Sequence, residues 1–209
     1  METTPKIGRL HVLTDTVLQT RFSAGELTER AIAGGADTIQ YRQKSESTRE
    51  MIRVASELQS LCRRSGVSFI VNDRLDVALA AEADGVHLGQ DDFPLPLARK
   101  ILGKKAIIGG SAGTLEEARK CFKEGADYIG FGPVFQTTSK EDAGPASGLM
   151  LLERIVREFP LPIIAIGGIN LTNASFVKQT GVYGIAVISA VSCQGDPTEA
   201  AKALRDLWI

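Results

Sequence analysis

Short apolar runs rich in β-branched residues alternate with longer stretches of helical period from one end of this 209-residue chain to the other. The runs are too short for buried helices, and their continuous apolar character suits strands enclosed on both faces. They predict strands near Leu10–Thr14, Thr38–Tyr41, Ser68–Val71, Gly85–Leu88, Ala106–Gly110, Tyr128–Phe131, Ile163–Ile166 and Gly184–Ile188. Between them the three- and four-residue spacing of apolar positions predicts helices over Ala24–Ala33, Thr48–Arg64, Leu75–Ala81, Pro94–Leu102, Thr114–Glu124, Leu149–Phe159, Asn173–Thr180 and Pro197–Leu207. Glycines fall where several helices should stop, and Thr114 with Glu117 has the spacing of a capping box. Four of the returns from helix to strand look alike: GGADTI, EADGVH, EGADYI and TGVYGI.

Repeated strand–helix units require a parallel sheet with right-handed crossovers and helices packed over it. Eight such units in about 200 residues fit a closed barrel, whereas an open doubly wound sheet uses fewer strands. No G-x-G-x-x-G follows the first strand, which disfavours a dinucleotide site. The expected fold is α/β, a single (β/α)8 TIM barrel forming one domain over residues 1–209.

Charge and cysteine usage then narrow the function. The formal net charge is −1, with Lys and Arg scattered, so no footprint for nucleic acid or an anionic membrane is present. Cys62, Cys121 and Cys193 are far apart and odd in number, which fits neither a disulfide framework nor a zinc site. No apolar run approaches the ~18 residues needed to span a bilayer, and the start METTPKIGRL has no signal-peptide pattern. A soluble cytoplasmic protein acting on small molecules is expected.

Barrels place their sites at the carboxyl ends of the strands, so the polar residues there carry the argument. Gln40, Tyr41, Arg42, Gln43 and Lys44 follow or end the second strand, Asn72 and Asp73 the third, and Gln90, Asp91 and Asp92 the fourth. Asp73 and Asp92 suit magnesium, which takes one or two carboxylates, keeps waters and completes its shell with phosphate oxygens. Asp91 is an alternative to Asp92. Arg42 and Lys44 suit the non-bridging oxygens of a polyphosphate, Arg as a planar fork and Lys as a point charge. A second group, Gly167-Gly168 after the seventh strand and Ile188-Ser189 after the eighth, lies where such barrels bind a phosphate through backbone N–H groups. The long connection after the sixth strand brings Thr137, Thr138, Ser139 and Lys140 together, hydroxyls and a cation able to close over phosphates. Ser111 either donates to a ligand or caps the next helix. His11 and His87 pair with no obvious nucleophile and read as structural, so a triad hydrolase has little support.

Taken in order, the segments QYRQK, VNDRLDVAL, ADGVHLGQDD, GPVFQTTSK, IAIGGI and AVISAV resemble the thiamine-phosphate synthase family, over nearly the whole chain. The resemblance implies a magnesium-dependent transferase that joins a hydroxymethylpyrimidine diphosphate to a thiazole phosphate. It implies Gln40 and Asn72 as pyrimidine or diphosphate contacts; Arg42, Lys44, Ser111 and Lys140 on the diphosphate; and Asp73 and Asp92 as metal ligands. Thr137, Ser139, Gly168, Ile188 and Ser189 match the thiazole-phosphate site. Arg42, Lys44 and Lys140 are the candidate catalytic cations, since neutralised pyrophosphate leaves readily and no protein nucleophile is required. A homodimer is the family habit. The chain departs from the family pattern at Gly113, Gln136 and Ser139, positions that bear on substrate placement. Related thiazole tautomerases need a positioned acid or base and carry Gly-His where this chain has Gly132-Pro133; a noncatalytic phosphate-binding barrel would not require Asp73, Asp92, Arg42 and Lys44 together.

Overall fold

Each strand pairs in parallel with the next, and the eighth returns to the first, so the sheet closes on itself. The computed structural model describes residues 6–139 and 144–208. The strands are β1 (Leu10–Thr14), β2 (Thr38–Tyr41), β3 (Ser68–Asn72), β4 (Gly85–Leu88), β5 (Ile107–Ala112), β6 (Tyr128–Phe131), β7 (Ile163–Ile166) and β8 (Gly184–Val187). The helices are α1 (Ala24–Ala33), α2 (Thr48–Ser65), α3 (Leu75–Ala80), α4 (Leu95–Leu102), α5 (Leu115–Lys123), α6 (Gly148–Glu158), α7 (Ala174–Gln179), α8 (Ser189–Ser192) and α9 (Pro197–Trp208). This is the (β/α)8 barrel that the alternation predicts, and no described helix is long and apolar enough to cross a membrane. The capping box of Thr114 and Glu117 is present at the start of α5.

Three of the four repeated turns carry the same staple. The Asp37 N–H donates to the Leu10 carbonyl at 3.3 Å, and the Asp37 carboxylate accepts the Leu10 N–H at 2.8 Å. Asp84 does this with Phe69, at 3.0 and 2.8 Å. Asp127 does it with Ile108, at 2.8 and 2.7 Å. Each aspartate thus closes a two-bond ring between the turn entering an even strand and the foot of the odd strand before it. In the fourth turn Tyr183 keeps only the backbone half, donating its N–H to Ile163 at 3.1 Å.

Side chains alternate across the pleat, so each strand serves two compartments. Val12, Ile39, Phe69, Val86, Ile108, Ile129, Ala165 and Ile185 face the helices in one continuous apolar layer. Leu13, Ile70, Ile107, Tyr128, Ile164 and Ala186 fill the barrel. Part of the interior is polar: His11, Gln40, Asn72, His87 and Ser111 line a small chamber with Tyr128.

Three local expectations change. β5 runs through Ser111 and Ala112, which pair with Gly130 and Phe131, so the strand outlasts its weak Gly109-Gly110 segment. Ile188 leaves β8 and caps the four-residue α8, too short to announce itself by period. Tyr41, a candidate substrate contact, is buried in the layer between barrel and helices, because it alternates with the inward-facing Gln40.

Candidate active site

The carboxyl ends of the strands form a rim with two unlike edges. On the β1–β4 edge the groups are charged. Asp15, directly after β1 and almost wholly buried, pairs with Arg42, while its Oδ1 accepts the N–H groups of Val17 and Leu18 at 3.0 and 3.1 Å. Arg42 Nε is buried and has no hydrogen-bond partner among the described residues. Lys44 Nζ rests on the Asp73 carboxylate. Asp73 itself has a left-handed backbone, φ 66°, a conformation that Asp tolerates better than most residues, and donates its N–H to the His87 carbonyl at 2.8 Å. Asp92 accepts the Gly89 N–H at 2.7 Å. Burial pushes its carboxyl above the usual carboxylate range; Asp73, in hydrogen-bonding contact, pushes it the same way, while the Gly89 bond and Lys44 oppose.

Asp73 and Asp92 thus meet at one point with the Lys44 ammonium beside them, as their strand-end positions predict. Among the described residues no group of three or more His, Cys, Asp or Glu side chains could cage an ion. A pair of carboxylates is nevertheless the donor set that magnesium uses when substrate oxygens complete its shell. Gln43 belongs to its own loop, accepting the Lys44 and Ser45 N–H groups at 2.7 and 3.0 Å.

The opposite edge, from β5 to β8, borders a cleft of about 760 Å³, partly open to solvent. Ser111, Thr137, Ser139, Gly168, Ile188 and Ser189 all line it. Ser139 Oγ lies 3.5 Å from Ser189 Oγ, which links the loop after β6 to the start of α8. Gly168 has φ 66°, and a Cβ there would stand 2.6 Å from the Gln136 carbonyl. Glycine is therefore required for the turn after β7 to lie against the β6 loop, and it leaves the turn's backbone uncovered. Thr138 is exposed and outside the lining. Lys140 lies outside the described residues.

Sequence reasoning missed Asp15 and Glu117 as site residues and gave Gln90 no role of its own. Asp15 aligns Arg42, and its signal was its place immediately after a strand, the criterion applied to the other strands. Gln90 reaches the cleft and donates to the Ser111 carbonyl at 2.6 Å, and Glu117 accepts the Gly113 N–H at 2.6 Å from the cleft wall. His11 is structural as expected: burial pulls its pKa down to about 4, against the pull of Asp37, and its Nε2 lies 3.0 Å from the Gly8 carbonyl. His87 does more than pack, since it stands 2.9 Å from both Tyr128 Oη and Ser111 Oγ in the chamber below the cleft.

Fold and rim together define a parallel-barrel enzyme for phosphorylated small molecules, with charge on one edge and glycine and hydroxyl on the other. The chain belongs to the thiamine monophosphate synthase family, whose model matches residues 10–191, and it is a transferase of that family. It is 54% identical over 196 residues to the thiamine-phosphate synthase of Methanocella arvoryzae, covering 94% of this chain and 92% of the relative. To that of Chloroflexus aurantiacus it is 52% identical over 199 residues, covering 95% and 92%. The solved structure of thiamine phosphate pyrophosphorylase from Pyrococcus furiosus superposes with a TM-score of 0.88 at 45% identity, covering 95% of this chain and 94% of that one.

Proposed function

We propose that this enzyme joins a hydroxymethylpyrimidine diphosphate to a thiazole phosphate, giving thiamine phosphate and pyrophosphate. The observation that carries the reading is the contact between Asp73 and Asp92. Two carboxylates held together in a partly buried place, with the single ammonium of Lys44 beside both, call for a further cation. Asp73 and Asp92 would hold magnesium, which when bound neutralises charge on the departing pyrophosphate. Arg42, aligned by Asp15, offers its buried unpaired Nε to an anionic oxygen, and Lys44 and Lys140 add cations to the same group. Gln40 and Asn72 orient the pyrimidine from the polar chamber.

On the facing edge, Thr137, Ser139, Gly168, Ile188 and Ser189 hold the thiazole phosphate through hydroxyls and backbone N–H groups. The carbon–oxygen bond to pyrophosphate breaks, the aminopyrimidine carries the positive charge at its exocyclic methylene, and the thiazole nitrogen supplies the electron pair of the new bond. The high identity to named thiamine-phosphate synthases supports this reading over the tautomerase. So does Pro133, which lines the cleft where related tautomerases carry histidine and cannot transfer a proton. The reading extends to a cytoplasmic homodimer. Three unpaired cysteines agree with a reducing compartment, and sedimentation velocity tests the dimer.

The test is product formation from the purified chain given both substrates, with magnesium and then with excess chelator. Thiamine phosphate that forms and is lost with chelator is expected. Absence of product with both substrates intact overturns the reading.

A further inference from the structure

After β4 the chain makes a tight turn over Gly89, Gln90, Asp91 and Asp92 before Pro94 leads into α4. The Asp92 N–H donates to the Gly89 carbonyl at 3.4 Å, and the Asp92 carboxylate accepts the Gly89 N–H at 2.7 Å. A Cβ at Gly89 would stand 2.9 Å from Asp92 Oδ2, so glycine lets the turn close this far. Both bonds lie within the turn. They hold Asp92 against Gly89 without holding the turn against the barrel.

Gln90 supplies that attachment. Its Nε2 donates to the Ser111 carbonyl at 2.6 Å and lies 3.6 Å from Cys121 Sγ, while its Oε1 accepts from the Lys120 ammonium at 3.2 Å. A carbonyl oxygen only accepts and an ammonium only donates, so these neighbours fix which way the amide points. The anchor is itself held. Ser111 pairs with Gly130 in the sheet, and the Gly113 N–H just beyond it donates to Glu117 at 2.6 Å. One side chain therefore runs from the turn that carries Asp92 to the strand end that carries Ser111.

The surroundings give the turn little else to lean on. On one side is the cleft, and on the other a hollow between α4 and α5 lined by Leu88, Pro94, Leu95 and Cys121. Among the described residues, Gln90 alone borders both spaces. Asp91 and Asp92 are exposed.

We propose that Gln90 is a positioning residue: by pinning the turn to the end of β5 it sets where the Asp92 carboxylate stands, and so where a metal sits relative to Ser111. The inference rests on the functional reading above, which gives magnesium to Asp92 and the diphosphate to Ser111. A magnesium ion held by two carboxylates completes its shell with substrate oxygens. Its place must therefore suit the groups that hold the same diphosphate directly, and Gln90 joins the two.

Manganese, which suits the same oxygen ligands and is visible by paramagnetic resonance, reads the site without turnover. Titrated with inorganic pyrophosphate present, it should bind the Gln90→Met variant on the order of tenfold more weakly than the unmodified protein, the loss expected from one hydrogen bond. KM for the thiazole phosphate should stay unchanged; a parallel rise there would mark general damage to the cleft and overturn the proposal. Gln90→Glu separates position from charge. It matches glutamine in shape and cannot donate to the Ser111 carbonyl, yet it brings another carboxylate to the rim. Charge alone predicts tighter manganese, and loss of position predicts weaker. Weaker binding is expected, and equal or tighter binding overturns the proposal, which this variant decides even if Gln90→Met does not fold. Manganese that does not bind the unmodified protein defeats the metal reading and this proposal with it, whereas manganese bound alike by all three proteins defeats this proposal alone.

Discussion

On the proposed reading, the two edges of the rim meet anions by opposite means. From β1 to β4 the work falls to long charged side chains, Arg42, Lys44, Asp73 and Asp92, each held by a named partner. From β5 to β8 it falls to hydroxyls and to backbone left bare by glycine. One edge depends on charge that a single substitution deletes, and the other on space that a single added carbon fills. A diphosphate with its metal and a monoester are both anions, yet they ask for these two solutions, because only the first brings enough charge to need a divalent cation.

The largest expected effect breaks the charged edge alone. Asp73→Asn retains a side chain that tolerates the left-handed backbone while removing the charge. It should lower magnesium-dependent kcat/KM on the order of 10³-fold, the several kcal/mol that a metal contributes to a transition state. Thermal unfolding should stay nearly unchanged. Turnover retained at saturating substrate would show that the carboxylate pair is not the metal site.

A second measurement separates folding from either edge, using the floor they share. His11 has its pKa lowered to about 4 by burial, from 6.5, so above about 6.5 it is neutral whether folded or not and costs nothing. As pH falls below that, the unfolded chain takes up a proton that the folded barrel refuses, and this contribution to stability declines until about pH 4, below which it is constant. The full loss is on the order of 3 kcal/mol. Urea midpoints at pH 7 and pH 5 should differ accordingly, and His11→Gln, which keeps a donor for the Gly8 carbonyl, should flatten the difference. An unchanged slope in that variant would assign the acid sensitivity elsewhere.

The smallest effect sharpens the contrast from the other side. Gly168→Ala adds one carbon to a strained turn beside the Gln136 carbonyl. The expected cost is about 1–3 kcal/mol, appearing as a higher KM for the thiazole phosphate with the magnesium requirement unaltered. A rise confined to the KM of the diphosphate would mean that the edges are not divided as described.

The same contrast governs what could be read before any coordinates. The barrel was legible because eight short β-branched runs alternate with helical periods, and each pleat has only two sides. The charged edge was legible because Arg, Lys and Asp at strand ends have few other uses. The hydroxyl edge was legible only by location, since Gly-Gly and Ser also make ordinary turns. Tyr41 was assigned to the ligand because it stands between Gln40 and Arg42, and the two-residue period of a strand turned it to the helices instead. Asp15 escaped notice, and His87 read only as structural, for another reason: each acts through a partner distant in sequence, Arg42 in one case and Tyr128 with Ser111 in the other. Only the closed sheet brings them together.

The aspartate staples at the foot of the barrel give the chain a unit of exchange. Asp37, Asp84 and Asp127 each lock one pair of consecutive strands, so the first three pairs are cassettes with the same latch. The fourth pair has no aspartate. Its turn residue Tyr183 instead receives the Trp208 indole N–H on its carbonyl at 3.1 Å and donates its hydroxyl to Ile7 at 2.9 Å. Recombination of barrels of this kind would therefore keep each of the first three pairs together with its own aspartate, while the last must travel with the C-terminal helix.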